Sequence, residues 1–258
     1  MNIRTSAISI LAAVAVVGCQ SGSTSGDTAG AKGGSAASTE AKVAPVDLAS
    51  LTAETLMPFQ EGNQWVYEVE TTIQAGNNRR TNQANLTYKI VKVEKDGDGT
   101  LATFEIYNGD KLADKQVWRE DAKGIYQVAM GQDLKKYTSP QPMILFPVKE
   151  GDTFSWKGTG LVPTGKTGPI EAQNHVLGSQ EVDTRMGRLA GVAIESTSNF
   201  SFMASPGKGK PEQLVKGKTD GTVWLAPKLG LIRSAQRIMA GQVGFAQTLR
   251  LKSFTGKQ

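Results

Sequence analysis

A chain of 258 residues with one histidine and one cysteine has few ways to run chemistry. A single cysteine excludes an intrachain disulfide and any cysteine-based metal centre, and a single histidine excludes histidine-pair sites. Four places still carry the letters of a site. Gly160-Leu161-Val162-Pro163-Thr164-Gly165-Lys166-Thr167 satisfies the phosphate-binding expression G-x4-G-K-[ST]. That chemistry needs Lys-Thr to open a helix whose amides face the phosphates, and here Gly168-Pro169 stands where the helix should run. The segment reads as a Gly/Lys/Thr-rich loop, with no nucleotide expected. Asp96-Gly97-Asp98-Gly99-Thr100 offers two carboxylates, but the calcium-loop pattern lacks its acid at the twelfth position, so a hairpin turn is the better reading. His175 has the right side chain for a general base, yet no G-x-S-x-G accompanies it. Glu120 and Asp121 are adjacent, so on a strand they point to opposite faces and cannot share acid/base work. The sequence predicts no catalytic residue, no metal site and no cofactor.

The elements around these residues have a period of two. Trp65, Tyr67, Val69, Thr71 and Ile73 alternate with polar neighbours, and Leu249 and Leu251 alternate with Arg250 and Lys252. Strict alternation puts one set of side chains on one face of a sheet and the other set in water. Turn clusters punctuate the pattern: Ala75-Gly76-Asn77-Asn78, Lys95-Asp96-Gly97-Asp98-Gly99, Asn108-Gly109-Asp110 and Pro206-Gly207-Lys208-Gly209-Lys210. They supply the positive φ angles of hairpins. No segment sustains apolar residues at helical spacing, apart from one short helix expected over Asp47–Leu56 with Asp47 as its N-cap. The predicted class is mainly β and antiparallel.

The first 18 residues are of another kind. A basic start (Arg4) precedes the apolar run Ile8–Val17, which is too short to span a bilayer and has the form of a secretory leader. It ends in Val16-Val17-Gly18-Cys19, which resembles the bacterial lipobox, and the only cysteine stands at the invariant position. The resemblance implies cleavage before Cys19, a diacylglyceryl thioether on its sulfur and a fatty acid such as palmitate on its amine. Gln20, where Asp would signal inner-membrane retention, implies outer-membrane sorting in a diderm bacterium. Loss of residues 1–18 removes one basic residue and no acid, which lowers the net charge of +5 to +4. A mild excess on an exported chain argues against nucleic acid as a partner. Residues 19–45 read as the lipidated cysteine and a tether, since 19 of the 26 residues from Gln20 to Pro45 are Gly, Ala, Ser or Thr. Such a stretch buries too little apolar surface to order itself and spans on the order of 30 Å as a coil.

Residues 46–258 form the β-domain, and it carries an internal repeat. Leu56-Met57-Pro58-Phe59-Gln60-Glu61-Gly62-Asn63-Gln64-Trp65-Val66-Tyr67 recurs 89 residues later as Leu145-Phe146-Pro147-Val148-Lys149-Glu150-Gly151-Asp152-Thr153-Phe154-Ser155-Trp156. Gly99–Ile106 matches Gly187–Ile194 at an offset of 88. Val117-Trp118 followed by Gly124-Ile125 matches Val223-Trp224 followed by Gly230-Leu231 at an offset of 106, which places an insertion around Ser205–Lys218. Three blocks in one order indicate two tandem copies of a roughly 90-residue unit, about 56–138 and 139–254. Two such units make either one curved half-barrel or a sandwich.

The openings Gly62-Asn63-Gln64-Trp65-Val66-Tyr67 and Gly151-Asp152-Thr153-Phe154-Ser155-Trp156, with the closing Trp224-Leu225-Ala226-Pro227-Lys228-Leu229-Gly230-Leu231-Ile232, resemble a group of uncharacterised bacterial envelope lipoproteins. A looser analogy runs to LolA and LolB, half-barrel carriers whose curved sheet holds acyl chains beneath helices that this sequence lacks. The resemblance implies a membrane-anchored, non-catalytic binding or assembly module, in its more specific form one that binds a hydrophobic ligand or lipid on a concave sheet, with an envelope hydrolase and a purely structural spacer or assembly subunit as alternatives. Its partner would be an envelope protein, a wall polymer or an apolar ligand. Two sets of residues are candidates for binding. Trp65, Tyr67, Trp118, Phe154, Trp156 and Trp224 lie in the repeated blocks and would line the sheet, chiefly as packing. Lys208, Lys210, Lys216 and Lys218 cluster in the inserted loop, with Glu212 as the only acid among them, and suit anionic headgroups or a polyanionic wall polymer.

Overall fold

A computed structural model of the chain describes residues 43–162, 165–205, 210–241 and 243–256. Cys19, the leader, most of the tether and Lys208 lie outside the described residues. Twelve antiparallel strands are described, consecutive ones paired as hairpins except β6 and β7: β1 (Gln64–Ala75), β2 (Asn78–Asp96), β3 (Gly99–Asn108), β4 (Lys111–Asp121), β5 (Gly124–Met130), β6 (Lys135–Leu145), β7 (Thr153–Leu161), β8 (Thr167–Thr184), β9 (Gly187–Ala204), β10 (Gln213–Ala226), β11 (Gly230–Ala240) and β12 (Val243–Thr255). Their alternation follows the sequence: on β1, Trp65, Tyr67 and Val69 are buried between more exposed neighbours.

The strands form one sheet in the order β6-β5-β4-β3-β2-β1-β12-β11-β10-β9-β8-β7. The order is symmetric about the centre, where β1 and β12 pair from Gln64↔Thr255 to Ala75↔Val243. The mainly β, two-copy architecture is therefore present, as one nearly closed sheet rather than two separate ones. The repeated openings fold alike in detail. Gly62 N donates to Ile90 O and Ile90 N to Asn63 O; Gly151 N donates to Val176 O and Val176 N to Asp152 O. Gly62 and Gly151 share a positive φ, near +91° and +85°, which a side chain rarely adopts. A bulge follows at the same step of each copy, at Ile90/Lys92 and at Val176/Gly178.

At the outer edges β6 and β7 meet without a backbone ladder among the described residues. Thr159 N donates to Thr138 Oγ1 (2.9 Å), and the Trp156 indole donates to Ser139 Oγ (3.0 Å). The Tyr137 ring meets Trp156 edge-on with centroids 5.7 Å apart. The sheet is thus closed by side chains along one seam.

The expected helix is shorter and broken. Asp47 does cap a 3₁₀ turn, Leu48–Ser50, but the α-helix α1 starts anew at Ala53 and runs only to Leu56. Thr52 takes over as N-cap, with Thr55 reciprocating in a capping box. A second strong cap inside the segment ends one helix and begins another. Leu51, Ala53, Leu56, Met57 and Phe59 from this stretch join the main core.

Candidate functional site

The inner face of the sheet is the first place where a site could lie. Four of the six singled-out aromatics, Trp65, Tyr67, Trp118 and Trp156, are buried there, the first three in the main core. Trp65 and Trp118 are each 1% exposed. Their polar atoms are matched: the Trp65 indole donates to Leu229 O (2.7 Å), Tyr67 Oη to Leu231 O (2.9 Å), and the Trp118 indole to Gln116 Oε1 (2.9 Å). Burial raises the Tyr67 phenol well above its ordinary value, with neighbouring Tyr88 adding to the effect. Trp156 belongs to a second cluster with Met130, Tyr137, Leu161, Phe200, Phe202 and Phe245. Phe154 is half-buried against the main core. Trp224, flanked by buried Val223 and Leu225, turns to the other face, where it donates to Gln180 Oε1 and carries the Arg233 guanidinium 5.3 Å from its ring. The six residues do not converge on one surface.

Between the apolar layers runs a feature absent from the sequence reading. Cross-strand partners place Thr71, Gln247, Gln236, Gly221, Ser196 and Asn174 in one line over six strands, β1-β12-β11-β10-β9-β8. The β4-β5-β6 side contributes inward Gln116, Gln127 and Gln141. All three glutamines are buried. Part of this set is paired, as Gln247 Nε2 to Thr71 Oγ1 and Tyr137 Oη to Gln127 Oε1. Gln116 Nε2, Gln127 Nε2 and Asn174 Nδ2 have no hydrogen-bond partner among the described residues. A signal for it was present, since Gln247 occupies an apolar-face position between Phe245 and Leu249.

The acidic candidates resolve into structure. Arg119 on β4 is gripped by Asp96 (2.9 Å), Asp98 (2.7 Å) and Asp121, which ties the β2–β3 turn to the β4–β5 turn. The two-acid turn is a guanidinium clasp. No group of three or more metal-ligating side chains occurs among the described residues. Lys166 of the phosphate-loop look-alike lies between β7 and β8, not at a helix start, and its ammonium donates to Met203 O and Glu212 Oε1. His175 faces outward on β8 between Thr153 and Glu195, its cross-strand partners, beside a surface cavity of about 480 Å³.

Glu120 is different. It faces inward from β4 at 8% exposure, its Oε2 has no partner among the described residues, and burial, with some repulsion from Glu54, raises its carboxyl to about 7 against the attraction of Lys95. Asp114, on the same strand, is raised to about 6 by burial, although the backbone amides of Lys115 and Gly131 pull it back. A raised folded-state value means that the fold holds more protons than the unfolded chain between roughly pH 4.5 and 7, so stability falls as pH rises through that window. Glu120→Gln is expected to be neutral at pH 4.5 and to add about 1 kcal/mol at pH 8, screening by nearby water being allowed for. Urea midpoints across pH check this; parallel wild-type and variant curves would refute it.

The basic residues are also placed otherwise than expected. Lys216 and Lys218 do not belong to a loop: they lie on β10, and among the described lysines of the cluster Lys210 alone remains in the connection. The segment Gln213–Lys218 extends the strand because it pairs with β9 from Gln213↔Ala204 onward.

No protein-family model matches the chain, and no curated protein does. Solved structures with some likeness include a candidate exported protein with a YmcC-like fold from Bacteroides fragilis. It is 15% identical, with a TM-score of 0.46 over 78% of this chain and 99% of that one. A candidate lipoprotein from Parabacteroides distasonis is 14% identical, with a TM-score of 0.44 over 78% and 99%. The hypothetical lipoprotein YmcC of Escherichia coli is 6% identical, with a TM-score of 0.28 over 72% and 87%.

Proposed function

We propose that the chain is an exported lipoprotein, anchored through Cys19, whose β-domain is a non-catalytic binding or assembly module working through its outer surface. The observation that carries the choice of surface is the filled interior. Trp65, Tyr88, Phe104 and Trp118 are each 1% exposed, so the main core is spent on packing where a carrier would keep room for an acyl chain. The lipobox resemblance and the Gly/Ala/Ser/Thr tether supply the anchoring part of the reading. The strand order supports a junction between the copies in the connection 146–152, with six strands on either side.

Mass spectrometry of the protein taken from a bacterial envelope tests both halves. Under denaturing conditions the expected mass is that of a chain beginning at Cys19 plus its acyl groups, and Cys19→Ser is expected to lose them. An unmodified wild-type chain would overturn the anchor. Under native conditions the expected result is no further apolar molecule. A lipid released only on unfolding would overturn the surface reading in favour of a carrier.

A further inference from the structure

The antiparallel order puts the ends of the strands on two rims. One rim carries α1 and the N-terminal segment, where Val46 N donates to Ser179 Oγ on β8. The other carries the ends of β9 and β11 and the starts of β10 and β12. Of the five exposed large hydrophobics among the described residues, four lie at or near this far rim: Leu112, Met203, Leu214 and Met239. Leu214 is 59% exposed and Met203 45%, and they are direct partners across β10 and β9. Ser179 pairs with Val192, eleven residues along β9 from Met203, so the two features stand roughly 35 Å apart.

Cations surround this apolar pair on the same face. Lys216 lies two positions from Leu214, Lys218 two further on, and Lys218 is the cross-strand partner of Met239. Arg237 lines, with Met239, a notch of about 200 Å³ where Gly244 leaves the strand bare. The counter-charges near it are Asp220, 3.6 Å from Lys218, and Glu212, 2.8 Å from Lys166. Exposed thioether and leucyl side chains at a projecting hairpin, ringed by long cationic ones, match a surface that is anionic outside and apolar within. A soluble polyanion would answer the lysines alone and leave Leu214 and Met203 in water.

We propose that the far rim docks on an anionic lipid bilayer facing the one that holds the anchor, with Leu214 and Met203 entering the headgroup layer and Lys216, Lys218 and Arg237 meeting lipid phosphates. The proposal deepens the surface-binding reading and rests on its anchor for which bilayer the rim faces. The lysine cluster seen in the sequence held two of the three cations of this site, Lys216 and Lys218. It missed the apolar half, which comes from the β9–β10 register.

The test uses the full chain incorporated into neutral phosphatidylcholine vesicles, mixed with labelled vesicles that are either neutral or contain phosphatidylglycerol. Flotation with the neutral set reports the anchor, and capture of the labelled set reports the rim, so the two readings fail separately. The expected result is at least tenfold greater capture of anionic vesicles, weakening with salt. Each lysine near such a surface contributes about fivefold, so Lys216→Glu with Lys218→Glu is expected to cut capture by ~20-fold or more. Leu214→Gln is expected to cut it several-fold, and Leu214→Trp to shift tryptophan emission to the blue on capture. Equal capture of neutral and anionic vesicles would overturn the proposal. So would normal capture by Leu214→Gln together with full competition by a soluble wall polyanion, which would assign the rim to that polymer.

Discussion

Trp65→Ala is expected to cost about 3–5 kcal/mol, a large share of the stability of a domain of this size. Trp65 stands where the two copies meet. It pairs with Phe254 on β12 and Tyr88 on β2, and its ring lies 5.1 Å from Phe254 and 5.8 Å from Phe104. Its indole N–H is the partner of Leu229 O, in the turn between β10 and β11. Removal leaves a cavity and an orphaned carbonyl together. Trp65→Phe separates them, retaining most of the apolar contact and losing the hydrogen bond, for about 1–2 kcal/mol. Phe154 holds the matching place in the second copy, at the first step of β7, but is half-buried, so Phe154→Ala is expected to cost less than half as much as Trp65→Ala. Urea unfolding with an unchanged slope measures all three; equal losses at 65 and 154 would mean that the copies carry equal loads.

The second large effect is expected at the seam. A Cβ on Gly160 would fall 1.8 Å from Tyr137 Cε1, so Gly160→Ala cannot be absorbed unless the ring leaves. Tyr137 is held on its other side by Trp156 and by its hydroxyl, which donates to Gln127 Oε1 (3.2 Å). The ring covers the bare glycine across β6 and β7, a cross-strand aromatic–glycine contact in a place with no ladder to take its part. Overpacking here is expected to cost about 3 kcal/mol. Its signature is local: amide exchange should quicken in β6 and β7 before it does in β1 and β12. Tyr137→Ala in the same chain should relieve much of the clash, so the double variant loses less than the sum of the singles. Uniform acceleration of exchange throughout the sheet would contradict a seam-specific role.

Much of the fold was legible because it rests on local rules. Period-two alternation in Trp65–Ile73 and the glycine turns define strands and hairpins, and the repeated blocks carry the same backbone contacts at Gly62 and Gly151. What stayed illegible depends on distance. The β6/β7 seam follows from curvature accumulated over twelve strands, which no single segment encodes. The pairing of Met203 with Leu214 is set across the connection 205–212, whose length does not fix a register as a two-residue turn does. The inward line through Gln247 and Gln236 was visible as parity, but polar residues on strands are ordinarily assigned to the wet face. For the site, the lysines were readable and their apolar companions were not.

The first and last strands lie side by side in the middle of the sheet, while consecutive strands β6 and β7 form its margins. During synthesis, the pairing that unites the molecule is therefore the last to become available. Each half can assemble from neighbouring hairpins, but Gln64 must wait for Thr255 before the central ladder is complete. A chain built in this order reaches its finished form only after β12 has been delivered. On the export proposed above, the central ladder then closes only once β12 has crossed the membrane.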